Sequence, residues 1–148
     1  MAAAKSVAHT TTQSKVEVAK YLREVLDHVS DSTMTVVETR LEENFSGGLV
    51  GKGIATHLRI ERSDGTGMLT CYERITGTLD GRAGSFLLQA SGFTDRHHAV
   101  HGSWEILEGS ATGDLAGLRG YAAFAAMPDK SAKTGWSADT TLTYWFDQ

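Results

Sequence analysis

The sequence has one proline, one cysteine, no basic excess and no long apolar run, and each scarcity removes a class of protein. With 16 glycines against that single proline, the chain is no Pro/Gly-rich linker. Glycine in such excess serves tight turns and bulges between strands. One cysteine, Cys71, cannot close an internal disulfide, so nothing marks an oxidising compartment. Fourteen basic and 18 acidic residues leave a formal charge of −4. That balance argues against a nucleic-acid partner and against adhesion to an anionic membrane, since both need a basic face. Met1–Ala4 is apolar only until Lys5, and no stretch approaches the roughly 20 apolar residues of a membrane span. A soluble, cytoplasmic chain of one domain is expected from its 148 residues.

What is present divides into a preface and a β body. Residues 1–13 carry no hydrophobic period and are expected to be flexible. Ser14 stands three residues before Glu17, the spacing of a capping box. Val18, Tyr21, Leu22, Val25, Leu26 and Val29 then recur at three- and four-residue steps. That stripe predicts an amphipathic helix over 14–30, serving as packing, as a lid or as a subunit contact.

From residue 33 to 148 the period becomes 2, which predicts a β-barrel domain. Thr35, Val37, Thr39, Leu41, Glu43 and Phe45 alternate with polar neighbours before Gly47-Gly48 turns the chain. Ile54–Glu61, Met68–Leu79, Ser85–Phe93, Val100–Leu107, Arg119–Ala126 and Thr140–Phe146 read as further strands. Asp80-Gly81 is a strong hairpin signal. Seven or eight short strands joined by tight turns describe an antiparallel meander, which avoids exposed edges by closing into a barrel of about eight strands. An open sandwich is the alternative. Gly109–Gly120 carries four glycines and reads as a looped turn that docks Leu115 and Leu118 under the barrel.

Three blocks carry a family resemblance: Tyr72–Phe86, Gly113–Gly120 and Leu142–Phe146. From about Met34 to Asp147 the chain resembles a bacterial family known as domain of unknown function 3224. The Gly113–Gly120 block is also similar to a turn of allene oxide cyclases and plant dirigent proteins. The resemblance implies an eight-stranded allene-oxide-cyclase-like barrel, and no activity carries over with it because the domain-of-unknown-function family has no general assigned activity. The chain departs from the family pattern at Ala90, where a histidine is frequent, and in its long preface.

Parity sorts the candidate site residues. Leu69, Cys71, Glu73 and Ile75 share the more apolar face of their strand, so Glu73 is expected to point inward beside Cys71. A carboxyl group in an apolar lumen is a candidate general acid or base, with a structural ion pair as the competing role. Cys71 is the second catalytic candidate. No base adjoins it in sequence, and a buried cysteine more often packs as a small hydrophobe. His97, His98 and His101 form a weak cluster on a turn and predict no metal site. His57 falls on the polar face of its strand. Phe45, Phe86, Leu88, Ala90, Trp104, Tyr121, Tyr144 and Phe146 are the expected ligand-binding residues, with small side chains on two strands leaving room between the aromatic ones.

Three functions fit this reading. One is a cofactor-independent enzyme of cyclase or isomerase type, acting by shape on an apolar, polyketide-like or lipid-like intermediate. The second is a carrier or sensor for a small apolar molecule. The third is an interaction module with a solid barrel. A homo-oligomer, dimer or trimer, is expected in each case. A cavity with Glu73 at its wall favours the first.

Overall fold

In the computed structural model, which describes residues 8–147, the chain is an eight-stranded antiparallel meander closed into a barrel. The strands are β1 (Thr10–His28), β2 (Met34–Gly47), β3 (Leu49–Arg62), β4 (Gly67–Leu79), β5 (Arg82–Thr94), β6 (Val100–Ile106), β7 (Leu118–Pro128) and β8 (Trp136–Phe146). β1 closes the ring by pairing with β8 through Thr10–Glu17. The Asp80-Gly81 turn between β4 and β5 has both residues at positive φ, as a two-residue hairpin requires. One 3-10 turn, Gly113–Leu115, is the helical content of the described residues, and none of their helices is long and apolar enough to cross a membrane.

The expected helix over 14–30 is not formed; those residues belong to β1 and its turn into β2. Likewise Thr10–Gln13, expected to be flexible, are the first residues of β1, while residues 1–7 lie outside the described part. The cause of the misreading is a bulge. Ser14, Val16 and Val18 face the lumen opposite Gly47, Phe45 and Glu43. The register then slips at Ala19, so that Tyr21, Arg23 and Val25 face the same side opposite Leu41, Thr39 and Val37. Val18 and Tyr21 therefore share a face at a spacing of three, and Tyr21 and Val25 at a spacing of four. A bulged strand has copied the helical stripe. Without β1, the facing edges of β2 and β8 would lack partners for their backbone groups, and closing the ring satisfies both.

The barrel is solid at one end. Leu49, Ile75, Leu79, Phe86, Leu115, Leu118 and Leu142 are each no more than 2% exposed and interlock there. The glycine-rich segment supplies Leu115 and Leu118 to this plug as its spacing suggests. It is held to β5 by the 2.7 Å contact between the hydroxyls of Ser85 and Thr112 and by the backbone bond from Thr112 N–H to the Ser85 carbonyl. Toward the β3–β4 turn the side chains no longer meet, and the lumen opens.

Candidate functional site: a half-hollow barrel

The open half holds a cavity of about 640 Å³. Its apolar wall is Leu88, Ala90, Val100, Trp104 and Phe124, with the Phe45 ring added from the side of Glu73. The opposite wall, made by β2, β3 and β4, is polar: Glu43, His57, Arg59, Cys71 and Glu73. Register brings these together, since Ala55 faces Glu73 and His57 faces Cys71 across β3 and β4. Ala55 is small enough to leave the Glu73 carboxyl its space.

Glu43 and Glu73 are in hydrogen-bond contact, and burial raises the pKa of both. Glu73 is driven furthest, first by burial, then by the Glu43 charge and by donating its proton to Glu43. The two groups titrate as one coupled unit whose protons are held above the ordinary carboxylate range. Glu73 Oε2 is sealed from solvent and has no donor elsewhere among the described residues, so the contact with Glu43 is what remains to satisfy the carboxyl.

Gly53 keeps this arrangement possible. A Cβ built there would collide with the Glu73 carboxyl and the Phe45 ring. Gly53→Ala is therefore expected to cost about 1–3 kcal/mol, the range of an overpacked core, measurable by urea denaturation. Gly53→Ala should cost the same in the Glu73→Gln background as in the wild type, because the collision is steric.

His57 is partly buried with its Nδ1 sealed from solvent, and this loss of hydration lowers its pKa to about 4, with Arg59 adding to the effect. The folded protein thus binds fewer protons than the unfolded chain between that value and about 6.5. Stability must fall as pH drops through this window, by up to about 3 kcal/mol at its acid end. His57→Gln is expected to flatten that part of the stability curve in melts between pH 4 and 6.5. An unchanged slope would place the titration elsewhere.

Six expected site residues meet in the cavity: Glu73, Cys71, Phe45, Leu88, Ala90 and Trp104. The other four do not. Phe86 lies in the plug, with its ring 6.4 Å from that of Trp104. Tyr144 is also at the closed end, where its hydroxyl donates to Asp80, and Phe146 there lies under the Arg82 guanidinium. Tyr121 points outward and is 55% exposed, because its neighbour Ala122 takes the inward position opposite Trp104 and Leu142. The Cys71 thiol is raised far above its ordinary value by burial and by the two glutamates, so it lines the wall as a neutral thiol and not as an activated nucleophile. His101 pairs with Asp95 at 2.9 Å, and no metal-holding cluster occurs among the described residues.

Sequence reasoning missed Glu43, His57 and Arg59. On β3 the apolar residues Ile54 and Leu58 face outward, 67% and 50% exposed, while Ala55, His57 and Arg59 face the lumen. The polar-face placement of His57 is thus reversed. Glu43 did carry a signal, sharing its parity with Leu41 and Phe45.

A closed meander, plugged at one end and hollow at the other, with a buried acid pair in its wall, defines a lumen-bearing β-barrel domain. The chain belongs to the DUF3224 family of proteins of unknown function, whose model matches residues 10–135. Its fold is shared by the crystal structure of a DUF3224 protein of unknown function from Shewanella oneidensis MR-1, 21% identical, with a TM-score of 0.71 over 97% of this chain and 100% of that one. No curated protein matches the sequence.

Proposed function

We propose that the barrel is a cofactor-independent enzyme of isomerase or cyclase type that holds an apolar carbonyl compound in its lumen and moves a proton on it. The observation that carries this reading is the buried, hydrogen-bonded Glu43–Glu73 carboxyl pair in the polar wall of a cavity whose facing wall is apolar. Such a pair offers both halves of an enolisation. The carboxylate takes a proton from a carbon next to the carbonyl while the protonated partner gives one to the carbonyl oxygen, and returning the proton at another carbon completes an isomerisation. The apolar wall would position the chain and exclude water, as in the allene-oxide-cyclase-like barrels that the Gly113–Gly120 block resembles. The helical lid expected from the sequence has no place in this account.

The test is solvent exchange. An apolar β,γ-unsaturated ketone incubated in D2O with the protein is expected to take up deuterium beside the carbonyl, and Glu73→Gln is expected to abolish the uptake, read by NMR. Binding without exchange would replace the enzyme with a carrier of the same molecule. Equal exchange by the variant would remove Glu73 from the chemistry.

A further inference from the structure

Arg59 stands out among the lumen groups because nothing answers its charge. It lines the cavity, makes no ion pair among the described residues, and its Nε is buried without a hydrogen-bond partner. The nearest acid along its own strand is committed elsewhere, since Glu61 takes a two-pronged contact of 2.9 and 3.0 Å from Arg23. The acid pair lies deeper. Glu73 is level with Ala55, four residues or roughly 13 Å along β3 from Arg59. What shifts those acids is burial and each other, with no contribution from Arg59. A half-buried guanidinium with a sealed, unpaired Nε and no counter-charge is costly, and a carboxylate matches its planar donors with two parallel bonds.

From this we infer that the lumen takes an amphipathic monocarboxylate, its head on Arg59 toward the mouth and its apolar body along Phe124, Trp104 and Leu88 toward Glu73. The inference rests on the proposed reading of the lumen as a ligand cavity and specifies the ligand class. A single negative charge is what the Arg59 guanidinium neutralises, since Arg62, the other cavity-lining arginine without an ion pair among the described residues, stands at the end of β3 beside the turn; a dianion would add repulsion with the Glu43–Glu73 pair.

Trp104 and Trp136 both line the cavity and report occupancy by fluorescence. Decanoate and 1-decanol, titrated at pH 8, are the probes. Wild type is expected to bind decanoate at least tenfold more tightly than the alcohol, the scale of a hydrogen bond to a charged group. Arg59→Met should erase the preference while leaving decanol affinity in place, and Arg59→Lys should keep part of it. Equal affinity of wild type for the two probes overturns the Arg59 assignment and leaves the cavity reading standing. Failure of wild type to bind either probe overturns the cavity reading itself.

A second, independent observation concerns the outer edge of β1. Beyond Glu17 this strand has no pairing with β8, yet it continues to His28 with Leu22 68%, Val25 48% and Leu26 48% exposed. A long edge that leaves backbone groups unpaired, with exposed apolar side chains set between its charges, is a template for another strand. The geometry points to a second copy of the chain, paired antiparallel about a two-fold axis at Leu22. Paired residues of a symmetric antiparallel contact face the same side, so the axis must pass through a residue. At Leu22 it sets Lys20 against Glu24 of the partner subunit, twice, with leucine meeting leucine between them. An axis at Arg23 or Glu24 would instead oppose like charges. Sedimentation at micromolar concentration is expected to show a dimer. Lys20→Glu and Glu24→Lys should each yield monomer, and the two together should restore the dimer. A monomeric or trimeric wild type, or a dimer indifferent to both single changes, overturns this edge as the contact.

Discussion

Glu73→Gln is expected to raise the melting temperature at pH 7.5 by several degrees while removing proton transfer altogether. In the unfolded chain Glu73 ionises near its ordinary value, whereas in the barrel burial, first, and then Glu43 push its pKa well above that value. The folded state therefore binds the extra proton, and stability drains away as pH rises above the ordinary glutamate range. Glutamine keeps the shape and still donates to Glu43 but has no proton to lose. A gain of at least about 1 kcal/mol corresponds to roughly 2–4 °C in a domain of this size. The gain must shrink toward pH 4, where both versions are neutral at this position. Melts of the two proteins across pH 4–8 check the sign: a gap that stays constant with pH would mean Glu73 is ionised in the fold. A residue that stabilises when replaced, yet is required for exchange, is the signature of a site held against stability.

Phe86→Ala is expected to cost about 4 kcal/mol, enough to leave a domain of ordinary stability barely folded. Its ring is fully buried in the plug, where the space it leaves cannot collapse between Leu79, Leu118 and Leu142. Phe124→Ala at the hollow end should cost less than half as much, because that ring is only partly buried and already faces open space. Urea denaturation of the two variants therefore reports the asymmetry of the barrel directly. Equal losses would mean that the hollow end is packed in solution.

The β body was legible because its strands alternate cleanly. On β4, Leu69, Cys71, Glu73 and Ile75 point inward as their parity requires. β1 was not, since the slip at Ala19 turned a strand into an apparent helical stripe, and only closure of the ring selects between them. The acid at the centre of the site was legible for the same reason as its strand. Its partners were hidden because β3 puts its polar residues inside: Ile54 and Leu58 face solvent while His57 and Arg59 occupy the lumen. Hydrophobicity alone assigns such a strand backwards, and the small residues Gly53 and Ala55 were the one hint that this face meets other side chains closely. The aromatic residues divided by position along the barrel, which alternation does not encode. Phe86 and Tyr144 share inward parity with Phe45 and Trp104 but sit in the plug.

The central claim is that the open half of the lumen receives an apolar molecule beside the carboxyl pair. Crystals soaked with a bromine-labelled long-chain alcohol, measured at the bromine absorption edge, test it most directly. The account predicts a single anomalous peak inside the barrel, between Trp104 and the Glu43–Glu73 wall, and its loss in Ala90→Phe, where the added ring fills that space. Bromine found only on the outer surface, or an unchanged peak in the filled variant, would contradict it.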